Sequence, residues 1–230
     1  MATAGANKDL RRGRFITFEG GEGSGKSTQI KTLAERLNGA ELRTIVTREP
    51  GGSPGAEIIR HLLLSGMGKL LGPEAETLLF AAARDDHVHT VIEPALDQGI
   101  WVLCDRFFDS TRAYQGRLGK VDPGVLNAMQ RVTIGDLQPD LTIILDLPVE
   151  IGMQRAAARR GEGAPDRFEA EDVKFHEGLR DAYRQIAAAE PQRCVLIDAN
   201  AAPGVVAARV WTAVRDRFLE VDVSKVANLA

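Results

Sequence analysis

This sequence of 230 residues has few cysteines, no long apolar run and little net charge. It has two cysteines, Cys104 and Cys194, each inside an apolar strand-like run, which predicts buried free thiols in a reducing cytoplasm. No apolar run approaches the length that crosses a bilayer, and the N-terminus has no apolar signal core. The net charge of −3 gives no support for a nucleic-acid partner. We therefore expect a cytoplasmic protein with no membrane and no nucleic-acid partner.

The composition that remains is that of an ordinary globular protein, with 44% hydrophobic and 27% charged residues. The length favours one sizeable α/β domain, which we place at residues 13–220. Residues 1–12 form a short stretch rich in small and basic residues, which predicts a flexible basic tail. Residues 221–230 are expected to form a C-terminal tail.

A glycine-rich stretch near the N-terminus fits the phosphate-binding loop pattern G-x-x-x-x-G-K-[ST], with Gly20, Gly25, Lys26 and Ser27 at its fixed positions. Residues 15–18 precede it and read as a short buried strand. Apolar residues then recur at the spacing of one helix face: Ile30, Leu33, Ala34 and Leu37. The alternative is a glycine-rich turn before an ordinary helix, and four fixed positions in a strand–loop–helix context disfavour it.

The expected chemistry of this loop is phosphate binding. Glycines let several backbone N–H groups point at one anion, and the new helix presents its positive dipole end to the same anion. Lys26 is expected to reach the β- and γ-phosphates, and the Ser27 hydroxyl to ligate Mg²⁺. We therefore predict that the chain binds a nucleoside triphosphate through nine consecutive residues: Gly20, Gly21, Glu22, Gly23, Ser24, Gly25, Lys26, Ser27 and Thr28.

The rest of the chain alternates between strand and helix patterns. Further strands are predicted at residues 42–47, 100–105, 141–147 and 194–197. Helices are predicted at residues 56–64, 73–97, 123–134, 148–159 and 203–218, with Pro94 as a possible kink in the second of these. A further, charged helix is predicted after the loop that ends at residue 165, and it extends to about residue 190. Such alternation argues for an α/β fold with a doubly wound, five-stranded parallel sheet flanked by helices, as in P-loop NTPases.

Two further groups of residues narrow the range of reactions that a nucleotide-binding protein of this kind could catalyse. Asp105 ends a buried strand, where a carboxylate can hold Mg²⁺, and Arg106 can grip a phosphate; the alternative is a helix-capping Asp with Arg106 in solvent. Phe80 and Arg84 share one helix face, so they can stack a base and bond its edge. On its own, the second pair is more often a core Phe and a surface Arg.

An arginine-rich segment at residues 155–167 contains Arg155, Arg159, Arg160 and Arg167 around a Gly/Pro-containing loop. A small mobile lid that brings guanidinium groups onto a transferring phosphoryl has this composition, and so does a solvated basic face. The sequence alone leaves both alternatives open.

The chain resembles the bacterial thymidylate kinases, a family of P-loop nucleoside monophosphate kinases, from about residue 13 to 218. The resemblance rests on six strings: Phe18-Glu19-Gly20 through Thr28, Thr47-Arg48-Glu49-Pro50-Gly51-Gly52, Leu79-Phe80-Ala81-Ala82-Ala83-Arg84, Asp105-Arg106, Ser110-Thr111-Arg112-Ala113-Tyr114-Gln115-Gly116, and Arg155 to Arg160 with Asp166-Arg167. The second and fifth of these are far more specific to the family than the phosphate loop is.

The resemblance implies transfer of the γ-phosphoryl of MgATP to dTMP by a homodimer built on the long helices. It implies that Phe80 stacks on thymine, that Arg84 bonds its edge, and that Tyr114 crowds the 2′ position of the sugar. The remaining implied dTMP contacts are Glu19, Arg48, Pro50, Arg106, Ser110 and Gln115.

On the ATP side, the resemblance implies that Arg155 binds the co-substrate and that the adenine lies near Asn200. The phosphate loop has no basic residue at positions 21–24, so the lid is expected to supply the catalytic arginine, with Arg159 and Arg160 as equal candidates. The implied catalytic set is Lys26, Asp105, Arg106, Arg159 and Arg160, and the implied magnesium ligands are Ser27 and Asp105.

Two other functions remain as alternatives. One is a kinase for another nucleoside monophosphate or a deoxynucleoside. The other is a nucleotide-dependent switch of the GTPase kind, which is disfavoured because Asn7-Lys8-Asp9, the string most like its guanine-reading motif, has the wrong spacing and precedes the first strand.

Overall fold

The structure is a computed structural model that describes residues 12–65, 70, 72–161 and 167–219. The predicted C-terminal tail and residues 1–11 of the predicted N-terminal tail lie outside the described residues, as do residues 162–166 of the predicted lid.

Five parallel strands form one sheet in the order β2-β3-β1-β4-β5. Their bounds are β1 Phe15–Glu19, β2 Thr44–Arg48, β3 Trp101–Asp105, β4 Leu141–Asp146 and β5 Cys194–Asp198. The prediction of a five-stranded, doubly wound parallel sheet is therefore confirmed. Each strand ends on a charged residue at the carboxyl edge of the sheet, which is where ligands bind in open α/β folds.

Helices cover both faces of this sheet. Their bounds are α1 Lys26–Gly39, α2 Pro54–Leu64, α3 Gly72–His87, α4 Glu93–Asp97, α5 Phe108–Thr111, α6 Pro123–Ile134, α7 Val149–Arg160, α8 Val173–Ala189 and α9 Pro203–Phe218. Within the described ranges, every helix is too short or too polar to cross a lipid bilayer.

The predicted helix at residues 73–97 is not one regular α-helix. A π-helical segment, Val88–Ile92, separates α3 from α4, and the Glu93 amide bonds to the Val88 carbonyl across the wider turn. Pro94 follows closely after this segment, and proline has no amide hydrogen to donate to a helical hydrogen bond. The π-helical turn lies where this hydrogen bond is missing.

A second helical stretch was not predicted. Helix α5 and the π-helical segment Arg112–Leu118 follow β3, and they contain the whole family-specific string that begins at Ser110. The sequence here has no clear amphipathic period, and the stretch is held by packing against α8 instead. π-helical turns occur frequently at functional sites.

Buried clusters on both faces hold the sheet between its helices. On one face, α1 and α9 pack through Ile30, Leu33, Leu37, Val206 and Val210 onto β1, β3 and β4. On the other face, the second half of the long helical stretch packs on β1 and β3. Cys104 and Cys194 are both free and buried, as predicted. Clamping of β1 on both faces fixes the position of the loop that follows it.

Candidate active site

The predicted phosphate-binding loop lies between β1 and α1, as the motif requires. Gly20, Gly23 and Gly25 have φ angles of 135°, 65° and 93°, which side-chain-bearing residues rarely adopt. Gly23 also approaches the backbone of Gly152 so closely that an added Cβ would lie 2.1 Å from its carbonyl oxygen. The loop can therefore follow this path only with glycine at these positions.

Lys26 begins α1, and its ammonium group lies inside the loop. Its Nζ donates to the carbonyl oxygens of Gly20 and Gly21, both at 3.0 Å. Burial lowers the pKa of Lys26, and the nearby positive charge of Arg106 lowers it further. The ammonium thus holds the loop in shape and lies where the phosphates of a nucleotide would take over its hydrogen bonds.

Ser27 and Asp105, the predicted magnesium ligands, are brought together from α1 and the end of β3. The Ser27 hydroxyl donates to Asp105 Oδ2 at 3.0 Å, although the two residues are 78 positions apart in sequence. Both offer hard oxygen atoms, and Mg²⁺ is usually bound by one or two such protein groups together with phosphate oxygens and water. The chemistry of this pair therefore fits Mg²⁺.

Arg106 has the most constrained position in the site. Its φ angle of 69° is unusual for a residue with a side chain. Its guanidinium donates to Glu22 Oε1 at 2.6 Å, Tyr183 Oη at 3.1 Å and Ser110 Oγ at 3.3 Å. The positive charge of Arg106 helps to lower the pKa of Glu22, although burial alone would raise it. Three partners from separate elements thus fix one cation at the mouth of the loop.

Glu19, predicted from the resemblance to contact dTMP, is fully buried and lies behind the site. Its carboxylate accepts hydrogen bonds from the amides of Phe107 and Ser110, the Ser110 hydroxyl and the Tyr183 hydroxyl. Burial, followed by the negative charge of Asp109, raises the pKa of Glu19 to about 7. Its contacts are those of a residue that positions Ser110 and the start of α5.

This raised pKa predicts a pH-dependent stability. Because the folded protein holds the Glu19 proton more tightly than the unfolded chain, whose carboxyl titrates near 4.5, the resulting stabilisation is complete below that pH and is lost as pH rises through about 7. We expect the difference in unfolding free energy between wild type and Glu19→Gln to decrease by about 3 kcal/mol over this range. Denaturant unfolding at a series of pH values measures it, and a difference that does not change with pH would contradict the prediction.

A cavity of about 490 Å³ extends from the phosphate-binding loop to the neighbouring strand ends. Residues 22–28 of the loop contribute to its lining. The lining also includes the residues that the resemblance assigns to the acceptor, and the part of the cavity beside them is called the acceptor end: Arg48, Pro50, Phe80, Arg84, Arg106, Ser110, Tyr114 and Gln115. Two groups of residues that are scattered along the sequence therefore share one cavity.

At the acceptor end, the burial of Phe80 and Arg84 is the reverse of the alternative given above, a core Phe and a surface Arg. Arg84, 5% exposed, is buried, whereas Phe80 is half-buried and faces the cavity. The interpretation of a core Phe and a surface Arg is therefore wrong. Gln115 also lines the cavity, and its amide donates to Glu76 at 3.0 Å. Tyr114 closes the cavity beside Arg106, which lies 5.3 Å from its ring centroid.

Arg48 is the last residue of β2, and Pro50 lies on the loop that follows it. Arg48 is half-exposed and donates to Glu57 at 2.8 Å, and Glu57 in turn accepts the amide of Gly52. Both predicted residues line the cavity, so the loop forms a side wall of the acceptor end.

The lid arginines separate into two positions. Arg159 and Arg160 both pair with Glu169, at 3.0 and 2.8 Å, and of these two it is Arg159 that lines the cavity. Arg155 donates to the Ala199 carbonyl at 3.5 Å, which places it beside the exposed Asn200. Arg155 and Asn200 are thus adjacent, as the resemblance implies, but outside the residues that line the cavity.

Several residues of the site gave no signal in the sequence. Tyr183, on the buried face of α8, is indistinguishable by pattern from a core residue, yet its hydroxyl contacts Glu19, Arg106 and Ser110. Phe168 packs against Tyr114 and Phe80, with ring centroids 5.2 and 6.5 Å apart. Arg167, considered above as a lid arginine, forms an ion pair with Glu76 on α3 at the acceptor end. The end of the lid therefore contacts the acceptor side.

This chain is similar to known proteins of one family. A family model described as thymidylate kinase matches residues 18–210. A thymidylate kinase of Nitrobacter hamburgensis is 80% identical and covers 97% of each chain. A thymidylate kinase of Bradyrhizobium diazoefficiens is 76% identical over 99% of this chain and 100% of that protein.

A solved structure shares the fold. The crystal structure of thymidylate kinase from Ehrlichia chaffeensis matches with a TM-score of 0.72 and 33% sequence identity, covering 88% of this chain and 99% of that one.

Proposed function

Because this chain belongs to the thymidylate kinase family and is a dTMP kinase, we propose that the cavity described above holds dTMP and ATP together, with their phosphates meeting between Lys26 and Arg106. The enzyme is a nucleoside monophosphate kinase that transfers a phosphoryl group from ATP to dTMP. The observation that carries the proposal is the shared cavity, because the phosphate-binding loop and the acceptor residues all line it.

The chain contributes to this reaction mainly by positioning and by cancelling charge. An oxygen of the dTMP phosphate is already anionic near neutral pH, so the attacking group needs little activation. The two nucleotides repel each other, and the transferring phosphoryl spreads charge over its oxygens. Lys26 at the loop and Arg106 at the cavity wall are preorganised cations that offset this charge without moving far.

Magnesium completes the set of cations in this proposal. Ser27 and Asp105 would hold Mg²⁺ at the start of α1, and it would supply positive charge that offsets the charge of the phosphates.

On the acceptor side, Phe80 would stack on the thymine and Arg84 would bond its edge. Arg48 and Arg106 would hold the monophosphate, with Ser110, Gln115 and Pro50 completing the wall and Tyr114 excluding a 2′-hydroxyl. Glu19 would act from behind the wall through Ser110.

On the ATP side, we assign the catalytic lid arginine to Arg159 rather than Arg160, because Arg159 lines the cavity. Arg155 and Asn200 would flank the adenine at the neighbouring edge of the sheet. Closure of the lid would also keep water from the phosphoryl group.

The acceptor is tested by measuring ADP release in a coupled assay with and without dTMP. We expect release to depend on dTMP, since the acceptor end is lined by residues suited to a base and its phosphate. Initial rates on dUMP, dCMP, dGMP and AMP then rank the alternatives, and equal or better rates on AMP would contradict the assignment of thymine to the pocket beside Phe80.

We also propose that the enzyme is a homodimer that works in the cytoplasm. Two buried free thiols suit a reducing compartment. Three large apolar side chains are exposed on neighbouring helices: Ile58 on α2, Leu78 on α3 and Val132 on α6, with exposed fractions of 75%, 55% and 79%. Helix α3 packs against both α2 and α6, so these side chains belong to one side of the fold, and exposed apolar surface of this kind favours a partner.

The dimer is tested by light scattering after size-exclusion chromatography. We expect wild type to elute as a dimer and Leu78→Glu as a monomer, because a charge at the centre of an apolar interface is not solvated. Val205→Glu, at an exposed apolar position on α9, is the matched control and should remain dimeric. A monomeric wild type would contradict the proposal.

A further inference from the structure

At the acceptor end of the cavity, Arg84 belongs to a buried cluster with two polar side chains, Glu49 and His87, to which no role has been assigned so far. Glu49, Arg84 and His87 are buried, with exposed fractions of 6%, 5% and 0%. Glu49 comes from the loop after β2, whereas Arg84 and His87 lie on α3. Buried charged and polar groups of this kind are expensive unless their hydrogen bonds are complete.

The hydrogen bonds of this cluster form a chain that ends at Arg84. Thr47 Oγ1 lies 2.7 Å from His87 Nε2. His87 Nδ1 lies 3.2 Å from Glu49 Oε1, and the other carboxylate oxygen of Glu49 accepts from Arg84 Nε at 2.7 Å. Arg84 then donates through Nη2 to Thr111 Oγ1 at 3.1 Å.

The direction of one of these hydrogen bonds follows from its partners. An ionised carboxylate only accepts hydrogen bonds, so His87 Nδ1 is the donor to Glu49. Nε2 faces the Thr47 hydroxyl, which can donate to the ring or accept from it. Both ring nitrogens are occupied, and each oxygen of Glu49 has a separate donor. The Glu49 carboxylate is therefore held at a fixed angle, and this angle sets the plane of the Arg84 guanidinium.

His87 also supports the loop after β2, which follows Arg48 and contains Pro50. Gly52 lies against the ring so closely that an added Cβ would be 2.5 Å from His87 Nε2. The His87 imidazole thus contacts the loop that forms the side wall of the acceptor end. Through Glu49 it is also linked to Arg84.

We infer that His87 is a positioning residue for acceptor recognition, which orients Arg84 through Glu49 and thereby sets the affinity for the base of dTMP. The inference rests on the proposed contact between Arg84 and the thymine edge. His87 itself does not line the cavity among the described residues, so it acts only through its neighbours.

The test compares two amide substitutions at position 87. Asn places its amide near the position of Nδ1 and keeps a donor for Glu49, whereas Gln places its amide near Nε2 and leaves Glu49 without that donor. We expect His87→Gln to raise the KM for dTMP about tenfold or more, the loss typical of one hydrogen bond to a charged group, while the KM for ATP stays unchanged. His87→Asn should lie near wild type. His89→Gln changes an exposed histidine two residues further along the chain, and as the control it should leave both constants unchanged.

The relay through Glu49 is tested by a double-mutant cycle with Arg84→Met. If His87 acts through Arg84, the double variant His87→Gln/Arg84→Met has the same KM for dTMP as Arg84→Met alone. Thr47→Val removes only the hydroxyl at Nε2 and is the milder variant should His87→Gln not fold. It is expected to raise the KM for dTMP by a smaller factor in the same direction.

The possible failures are distinguishable. If Arg84→Met leaves the KM for dTMP unchanged, the proposed base contact is wrong and the inference falls with it. If Arg84→Met raises that KM but His87→Gln and Thr47→Val do not, the inference alone is overturned. Equal losses for ATP and dTMP, or additive effects in the double variant, would show a merely structural role and would also overturn it.

Discussion

Replacing Lys26 with Ala is expected to lower the turnover number for dTMP phosphorylation by about 100-fold or more. This is the effect of removing one preorganised hydrogen-bond donor that stabilises the charge of a transition state. The physical reason is that the ammonium group lies inside the phosphate-binding loop, bonded to two of its carbonyls. When ATP is bound, no other group of the loop carries a positive side-chain charge there. Steady-state kinetics with saturating ATP and dTMP measures the effect.

The matched control is Lys31→Ala, which removes an exposed ammonium group one turn further along α1. We expect its turnover to equal that of wild type. Thermal unfolding of Lys26→Ala separates a loss of catalysis from a loss of folding. Near-normal turnover in a folded Lys26→Ala variant would refute the role assigned to this residue.

Replacing Arg106 with Met is expected to lower kcat/KM for dTMP by about 1,000-fold, since an arginine that offsets the charge of a transferring phosphoryl contributes at least this much. The substitution keeps the aliphatic stem and removes the guanidinium that contacts Glu22, Ser110 and Tyr183. It also leaves the carboxylate of Glu22 without its 2.6 Å partner, so we expect the protein to be less stable as well.

The two effects of Arg106→Met can be separated by a second substitution. In Arg106→Met/Glu22→Gln the unpaired charge is gone, so the unfolding temperature should recover while kcat/KM for dTMP stays low. Arg106→Lys keeps the charge but not the two-pronged geometry and should give an intermediate rate. Recovery of activity together with stability in the double variant would show that Arg106 is structural only.

The local parts of this site could be predicted from the sequence because short-range geometry determines them. The phosphate-binding loop is specified by glycines at positions where φ is positive and by a lysine at the start of a helix. Asp105 could be placed because a buried parallel strand ends there, and all strands of such a sheet point to the same edge. Its contact with Ser27 follows from these two facts.

The contacts between distant segments could not be predicted. Arg106 is fixed by Tyr183 and Glu22, which are 77 and 84 positions away in sequence. Tyr183 has the periodicity of a core residue, and nothing in that pattern shows that its hydroxyl points into a polar cluster. Arg84 was ambiguous for the same reason, because its burial depends on Glu49 from another element.

The lid shows a related limit. Four arginines in one segment indicate a basic lid, but their number does not decide which one faces the nucleotides. In the structure the choice depends on helix geometry, because Arg159 at the end of α7 lines the cavity while Arg155, one turn earlier, reaches the edge beside β5. Arg167 instead contacts Glu76, so it cannot be grouped with the others.

The central claim is that one cavity holds both nucleotides with their phosphates in line, and a crystal structure with dTMP and a non-hydrolysable ATP analogue tests it most directly. The account predicts the thymine against Phe80 and Arg84, the dTMP phosphate on Arg106, and the γ-phosphate on Lys26 within reach of that phosphate. Binding of dTMP elsewhere, or a phosphate too far from Lys26 for direct transfer, would contradict it.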